Sequence, residues 1–124
     1  MRTESVMYFT EKEEEFAHVL VSIGTRKNVA SVLVFLANTS EATSLAIERG
    51  TDLRQPEVSL ALKFMADHGW IEARESKSER MGRPMKIYKL AKPITAILKS
   101  IEKEKKAEAD AQIERVKKLR EYIS

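Results

Sequence analysis

The chain has 124 residues, of which 43% are hydrophobic and 33% are charged, and its formal net charge is +3. This length fits one domain, and the apolar fraction excludes an intrinsically disordered protein. The absence of cysteine excludes disulfides, a thiolate nucleophile and cysteine-based metal sites. No stretch reaches the roughly 20 apolar residues that span a bilayer, and the first residues lack the apolar core of a signal peptide. We therefore expect a cytoplasmic protein with no membrane partner.

Two helices are predicted in the first third of the chain. Thr10 and Glu13 form a capping-box pattern before a first helix over 11–22, which ends at Gly24. A second helix over 27–37 is so apolar that most of its surface must be buried. This second helix is therefore expected to be part of the core.

A helix-turn-helix pattern follows. A short third helix, with its cap at Ser40 and Thr43, is predicted to stop at Gly50. After a connecting turn, Pro56 starts a fourth helix that reaches residue 67 or 68 and ends at Gly69. A short helix, a turn and a longer helix in this order are typical of a helix-turn-helix.

A β-hairpin, here called the wing, is predicted over about 70–90. Residues 70–76 and 85–90 have strand character, and the polar segment between them contains a Gly-Arg-Pro tip. Between Arg74 and Lys92 there are seven basic residues and two acidic ones, a net charge of +5. This charge suits contact with phosphates or with a narrow minor groove, although a solubilising charged loop has the same composition.

The last segment, 93–122, is predicted to form one long helix, because no Gly or Pro follows Pro93 before its end. Its sparse apolar residues cannot all be buried within one small domain, which predicts a homodimer formed by partner helices. The expected dimerisation residues fall in two clusters: Ile94, Ile97, Leu98 and Ile101, then Ile113, Val116, Leu119 and Ile123.

The fourth helix has a candidate DNA-reading face. With Val58 at zero on a wheel of about 100° per residue, an inward stripe forms from Ala61, Leu62 and Met65. The face about 120° away carries Gln55, Ser59 and Lys63, with Arg54 just before it. Arg and Lys donate to guanine, Gln pairs with adenine, and Ser bonds a base or a phosphate. Any amphipathic helix has a polar face, so this face alone leaves simple solvation open.

Three segments, 44–50 (SLAIERG), 56–62 (PEVSLAL) and 68–71 (HGWI), resemble the winged helix-turn-helix of MarR, ArsR and TrmB regulators, especially archaeal ones. The resemblance covers roughly 27–90 and places the fourth helix as the recognition helix. With the basic wing it implies DNA contacts by Arg54, Gln55, Ser59, Lys63, Lys77, Arg80, Arg83 and Lys86. The turn between Gly50 and Val58 departs from the pattern, because it is about two residues longer than usual.

These observations predict a mainly α fold with a small β-hairpin: a winged helix-turn-helix with an N-terminal helix and a long C-terminal dimerisation helix. The expected domains are a DNA-binding domain over 1–92, with its core over 27–90, and a dimerisation helix over 93–124.

Leu60 and Phe64 are apolar but lie off the inward stripe of the fourth helix. We expect them to pack against the first helix or a partner subunit, with contact to thymine methyl groups as the alternative. Trp70 follows the helix stop and is expected to fill the core beneath the wing.

No enzymatic site is predicted. His18 and His68 lack neighbouring metal ligands, and His68 suits the negative end of a helix dipole. There is no phosphate loop and no catalytic triad pattern, so we expect no cofactor and no metal. Any small-molecule effector would bind at the dimer interface, because little chain remains for a separate effector domain.

The function expected from the sequence is sequence-specific binding of double-stranded DNA by a dimeric transcriptional regulator associated with the nucleoid. The alternative is a winged helix that binds proteins, or one that binds DNA without sequence preference within a chromatin or transcription assembly.

Overall fold

The structure is a computed structural model that describes residues 9–77 and 84–124. In the described residues the helices and strands are, in chain order, α1 (Glu11–Ser22), α2 (Lys27–Ala37), β1 (Ala42–Thr43), α3 (Ser44–Thr51), α4 (Gln55–Asp67), β2 (Ile71–Lys77), β3 (Pro84–Leu90) and α5 (Ile94–Glu121). The fold is mainly α with a small antiparallel sheet and a long C-terminal helix, as predicted. The chain divides into two compact units, Met1–Lys92 and Pro93–Ser124.

Helix α2 forms the centre of the first unit. It contacts α1, α3 and α4, and six of its side chains are buried: Val29, Ala30, Val32, Leu33, Val34 and Leu36. The Asn28 side chain donates a hydrogen bond from Nδ2 to the carbonyl oxygen of Glu57 at 3.1 Å. This bond joins the first turn of α4 to the start of α2. Because α2 is the central helix of the core, the bond helps to hold α4 in its orientation.

The boundaries of α1 come from local signals. The Glu13 backbone N–H donates to Thr10 Oγ1 at 3.1 Å, and Thr10 N–H donates to Glu13 Oε1 at 2.8 Å, which confirms the capping box. At the other end Gly24 takes a φ of 107°, and its N–H donates to the Val21 carbonyl oxygen. Both ends lie where the sequence places them.

In the part of the chain that the structure describes, the sheet has three strands in the order β1-β3-β2, one more than the predicted hairpin. The additional strand, β1, pairs with β3 through Ala42 opposite Tyr88 and Thr43 opposite Ile87. Two residues are too few to show a strand period, so this pairing could not be predicted from the local sequence. The pairing attaches the wing to the start of α3.

The turn between α3 and α4 differs from its prediction. The cap of α3 is Thr43, whose Oγ1 accepts the Ala46 N–H at 3.2 Å, and Ser40 lies outside the helix. The helix continues through Gly50 to Thr51 and ends where Asp52 takes a left-handed φ of 60°. Because α4 starts at Gln55, the connection is 52–54, and three residues is the ordinary length. The expectation of a lengthened turn was wrong, because both helices extend into it.

Gly50 is required by packing rather than by a helix stop. A Cβ atom at this position would lie 2.1 Å from Cε1 of Phe35 on α2. The missing side chain therefore lets α3 approach α2 closely.

Gly50→Ala is expected to lower the free energy of unfolding by about 2 kcal/mol, because overpacking exceeds the gain in helix propensity. Urea unfolding followed by circular dichroism measures the change. In the Phe35→Leu background the same substitution should be less costly, since the ring that it meets is gone. An equal cost in both backgrounds would contradict this role for Phe35.

Helix α4 ends in a Schellman motif, which confirms the predicted stop at Gly69. Gly69 has a φ of 74° and donates to the Ala66 carbonyl oxygen at 3.0 Å, while Trp70 N–H donates to the Met65 carbonyl oxygen at 2.9 Å. Trp70 is buried, and its carbonyl oxygen accepts the Ala91 N–H at 2.7 Å. Trp70 is thus hydrogen-bonded both to the end of α4 and to the residue after the wing.

Helix α5 has 28 residues, a length of about 42 Å at 1.5 Å per residue. Pro93 precedes it, and its buried residues are Ile97 and Ile101. From residue 102 onward every side chain except Lys105 is exposed. Among the described residues, no helix is both long enough and apolar enough to cross a membrane.

Candidate nucleic-acid interface

Helix α4 has sharply different faces. Val58, Ala61, Leu62 and Met65 are buried, as the helical wheel predicts. Gln55, Ser59 and Lys63 are exposed on another side of the helix, where three polar side chains succeed one another at four-residue spacing. The exposed line is therefore continuous over more than two turns of the helix.

Side chains on this face are linked to each other rather than to the core. Gln55 Nε2 donates to Ser59 Oγ at 2.8 Å, and Lys63 Nζ lies 3.5 Å from Asp67 Oδ2. The Lys63 and Asp67 side chains are 75% and 64% exposed, so this ion pair contributes only about 0.5 kcal/mol. A ligand that bonds Lys63 therefore displaces Asp67 at little cost.

The start of α4 presents a second positive group. Arg54 is exposed directly before the helix, and its backbone N–H donates to Glu57 Oε1 at 2.9 Å. The Glu57 carboxylate thereby satisfies one of the free N–H groups at the helix start and leaves the Arg54 guanidinium on the surface. Arg54 and Lys63 lie near opposite ends of the polar face.

The wing carries less free positive charge than its sequence indicates. Arg74 donates to both carboxylate oxygens of Glu41, at 2.9 and 3.0 Å, and Lys89 Nζ lies 3.6 Å from Glu72 Oε2. These pairs neutralise two of the seven basic side chains, and Glu41 lies outside the segment whose charge was counted. The remaining positive field is weaker than the net charge of the hairpin alone predicts.

The other predicted wing contacts are placed unequally. Lys86 is exposed on β3 and pairs in register with Glu75 on β2. Lys77 is the last residue of β2, in register with Pro84. Arg80 and Arg83 lie outside the described residues.

The two apolar residues off the core stripe have different environments. The Phe64 ring stacks on His68 with centroids 4.1 Å apart and meets Trp70 edge-on at 5.8 Å. Phe64 therefore packs against residues at the end of its own helix, and its expected contact with α1 or a partner subunit stays a prediction. Leu60 remains 60% exposed.

His68 is the C-cap residue of α4. Its Nδ1 lies 2.9 Å from the carbonyl oxygen of Phe64, which also accepts the backbone N–H of His68 at 3.1 Å. The His68 ring contacts both Phe64 and Trp70, which also contact each other edge-on. Among the described residues, no group of three or more His, Asp or Glu side chains is arranged to hold a metal ion.

The predicted dimerisation residues also divide into two groups. Ile97 and Ile101 are buried and Ile94 and Leu98 are half-buried. The second cluster is exposed, by 53% at Ile113 and Val116, 61% at Leu119 and 85% at Ile123. Ile113, Val116 and Leu119 form an apolar stripe on the distal half of α5, and Ile123 follows two residues after its end.

A cavity of about 380 Å³ lies between α1, α2 and the end of α3. The residues that line the cavity include the acidic Glu14 and Asp52, the basic Lys27 and the apolar Ala17 and Val21. The mixed charges do not select a ligand class.

Comparisons with solved structures agree with this architecture. A possible transcriptional regulator from Methanosarcina mazei Go1 superposes with a TM-score of 0.64 and 16% identity, covering 93% of this chain and 98% of its own. A transcriptional regulator homologue from Pyrococcus horikoshii OT3 has a TM-score of 0.53 and 15% identity, covering 82% and 97%. A MarR family regulator from Neisseria meningitidis has a TM-score of 0.50 and 20% identity, covering 87% and 84%. No family model and no curated protein sequence matches the chain. The chain has the winged-helix fold of these transcriptional regulators.

Proposed function

We propose that this chain is a transcriptional regulator that binds double-stranded DNA sequence-specifically as a homodimer. The observation that carries the proposal is the exposed line of Gln55, Ser59 and Lys63 on α4, backed by a buried face that fixes the helix to the core. In the proposed complex α4 lies in the major groove, where these groups bond base edges. The exposed Arg54 and the basic wing contact phosphates or the minor groove. The proposal places the protein in the cytoplasm at the nucleoid and assigns it no catalytic role.

The exposed stripe of α5 supports the dimer. Val116 and Leu119 have the spacing of a and d positions in a coiled coil, Ile113 lies beside them, and Ile123 continues the same spacing just beyond the end of α5. A second copy of α5 removes these side chains from water. Two copies of α4 then read half-sites about 34 Å apart, which requires a pseudo-palindromic operator.

Selection of bound fragments from randomised duplex DNA at physiological salt, followed by sequencing, tests the proposal. Enrichment of an inverted repeat is the expected result. Binding without enrichment would contradict sequence-specific reading and favour an architectural role. No binding at all would overturn the DNA proposal and direct the search to protein partners.

Arg83→Ala is expected to weaken binding to selected and unrelated duplexes by the same factor, because a phosphate contact does not depend on sequence. The slope of log affinity against log salt should fall by about one for each protomer. Titrations at four salt concentrations measure the slope. Arg115→Ala is the control, since it removes the same charge from an exposed position of α5 and should leave the slope unchanged. A loss confined to the selected duplex would contradict a phosphate role for Arg83.

A further inference from the structure

Leu60 differs from every other large apolar side chain of α4. Val58, Leu62 and Met65 are buried and Phe64 is half-buried against His68 and Trp70, whereas Leu60 is 60% exposed. It makes no contribution to the core that explains an apolar residue at this position.

The position of Leu60 on the helix is close to the line that points farthest from the core. At about 100° per residue, the buried stripe is centred near 350° from Val58, so its opposite line is near 170°. Leu60 lies about 30° to one side of that line and Lys63 about 30° to the other. A surface that Lys63 contacts is therefore also contacted by Leu60.

The neighbours of Leu60 indicate what that surface is. On one side of Leu60 lie the exposed hydrogen-bonding side chains Ser59 and Lys63, while its neighbours four residues away along the helix, Pro56 and Phe64, are apolar. A protein groove would leave those polar groups without water, whereas the major groove offers them donors and acceptors. In the major groove the one apolar group on a base edge is the C5-methyl of thymine.

We infer that Leu60 recognises the C5-methyl group of a thymine in each half-site of the operator, an assignment that rests on the proposed function. The methyl group and the Leu60 side chain exclude water from each other. A cytosine at the same position brings no methyl group and leaves its N4 donor against an apolar side chain, so it is rejected. Leu60 is a specificity-determining residue in this assignment.

The test removes only the methyl group. Each thymine of the duplex selected from randomised DNA is replaced in turn by deoxyuridine, which retains the base pair, and affinities are measured for the wild type, Leu60→Ala and Leu45→Ala. Leu45 is the matched control, because it is 51% exposed on α3 and undergoes the same truncation. Circular dichroism melting of the three proteins verifies that each one is folded.

The wild type and Leu45→Ala are expected to lose about fourfold in affinity at one thymine of each half-site, the equivalent of one buried methyl group. Leu60→Ala should lose less than about 1.5-fold at that thymine. An equal loss in all three proteins, the absence of any sensitive thymine, or a selected site without thymine would each overturn the assignment of Leu60 alone. Failure to bind the parent duplex would instead overturn the proposed function, and the assignment with it.

Discussion

Replacing Trp70 by alanine is expected to lower the free energy of unfolding by about 3–5 kcal/mol. Trp70 is 5% exposed, and its ring centroid lies 5.8 Å from that of Phe64 and 5.2 Å from that of His68. Truncation leaves a cavity and also leaves both of these rings without their shared neighbour. The backbone hydrogen bonds of Trp70 to Met65 and Ala91 do not involve its side chain. The lost free energy of unfolding therefore measures the contribution of the Trp70 side chain.

Urea unfolding of the full chain, followed by far-ultraviolet circular dichroism, measures this loss. Trp70→Phe retains a ring in the same place and should cost less than half as much. Tyr122→Ala is the control for an aromatic truncation on the surface, because Tyr122 is 78% exposed, and it should change stability by no more than about 0.5 kcal/mol. A loss below about 1 kcal/mol for Trp70→Ala would contradict the role of Trp70 in joining α4 to the wing.

The parts of the fold that were predicted correctly are specified by residues close together in sequence. Helix α1 is bounded by the Thr10 and Glu13 capping box at its start and by Gly24 at its end. Helix α4 stops at Gly69 because the Schellman motif needs only the preceding five residues. Signals of this kind are complete within a short window.

The parts that were missed depend on residues far apart in sequence. Strand β1 exists only because Thr43 lies opposite Ile87, more than forty residues later. Gly50 was interpreted as a helix stop, since glycine is common there, but its reason is the ring of Phe35 on another helix. No local pattern distinguishes a glycine that ends a helix from one that is required by tertiary packing.

The candidate site divides in the same way. The exposed line through Ser59 and Lys63 follows from helical periodicity alone, and the structure leaves it exposed. The acidic partner of Arg74 is Glu41, which is 33 residues away and belongs to no predicted element of the wing. A count of charges in one segment therefore overestimated the positive potential of that segment in the folded chain.

Replacing Gln55, Ser59 and Lys63 together by alanine should reduce affinity for the selected duplex by at least about 100-fold, because base-edge contacts account for most discrimination. Affinity for an unrelated duplex should fall much less, because the variant loses only one positive charge per protomer, that of Lys63. Within residues 9–77 and 84–124 these side chains bond only one another and Asp67, and alanine favours helix, so the variant should remain folded. Fluorescence anisotropy with both duplexes measures the two affinities.

The control for the triple variant is Ser100→Ala, Lys106→Ala and Gln112→Ala, which makes the same three changes of residue type at exposed positions of α5. It should leave both affinities unchanged within about twofold. If the α4 variant lost affinity equally for both duplexes, its face would contact only the backbone, and sequence would have to be read elsewhere. A large loss of affinity for the selected duplex alone cannot be explained by backbone contacts, since phosphate contacts do not distinguish one sequence from another. The ratio of the two losses therefore decides whether α4 is a recognition helix.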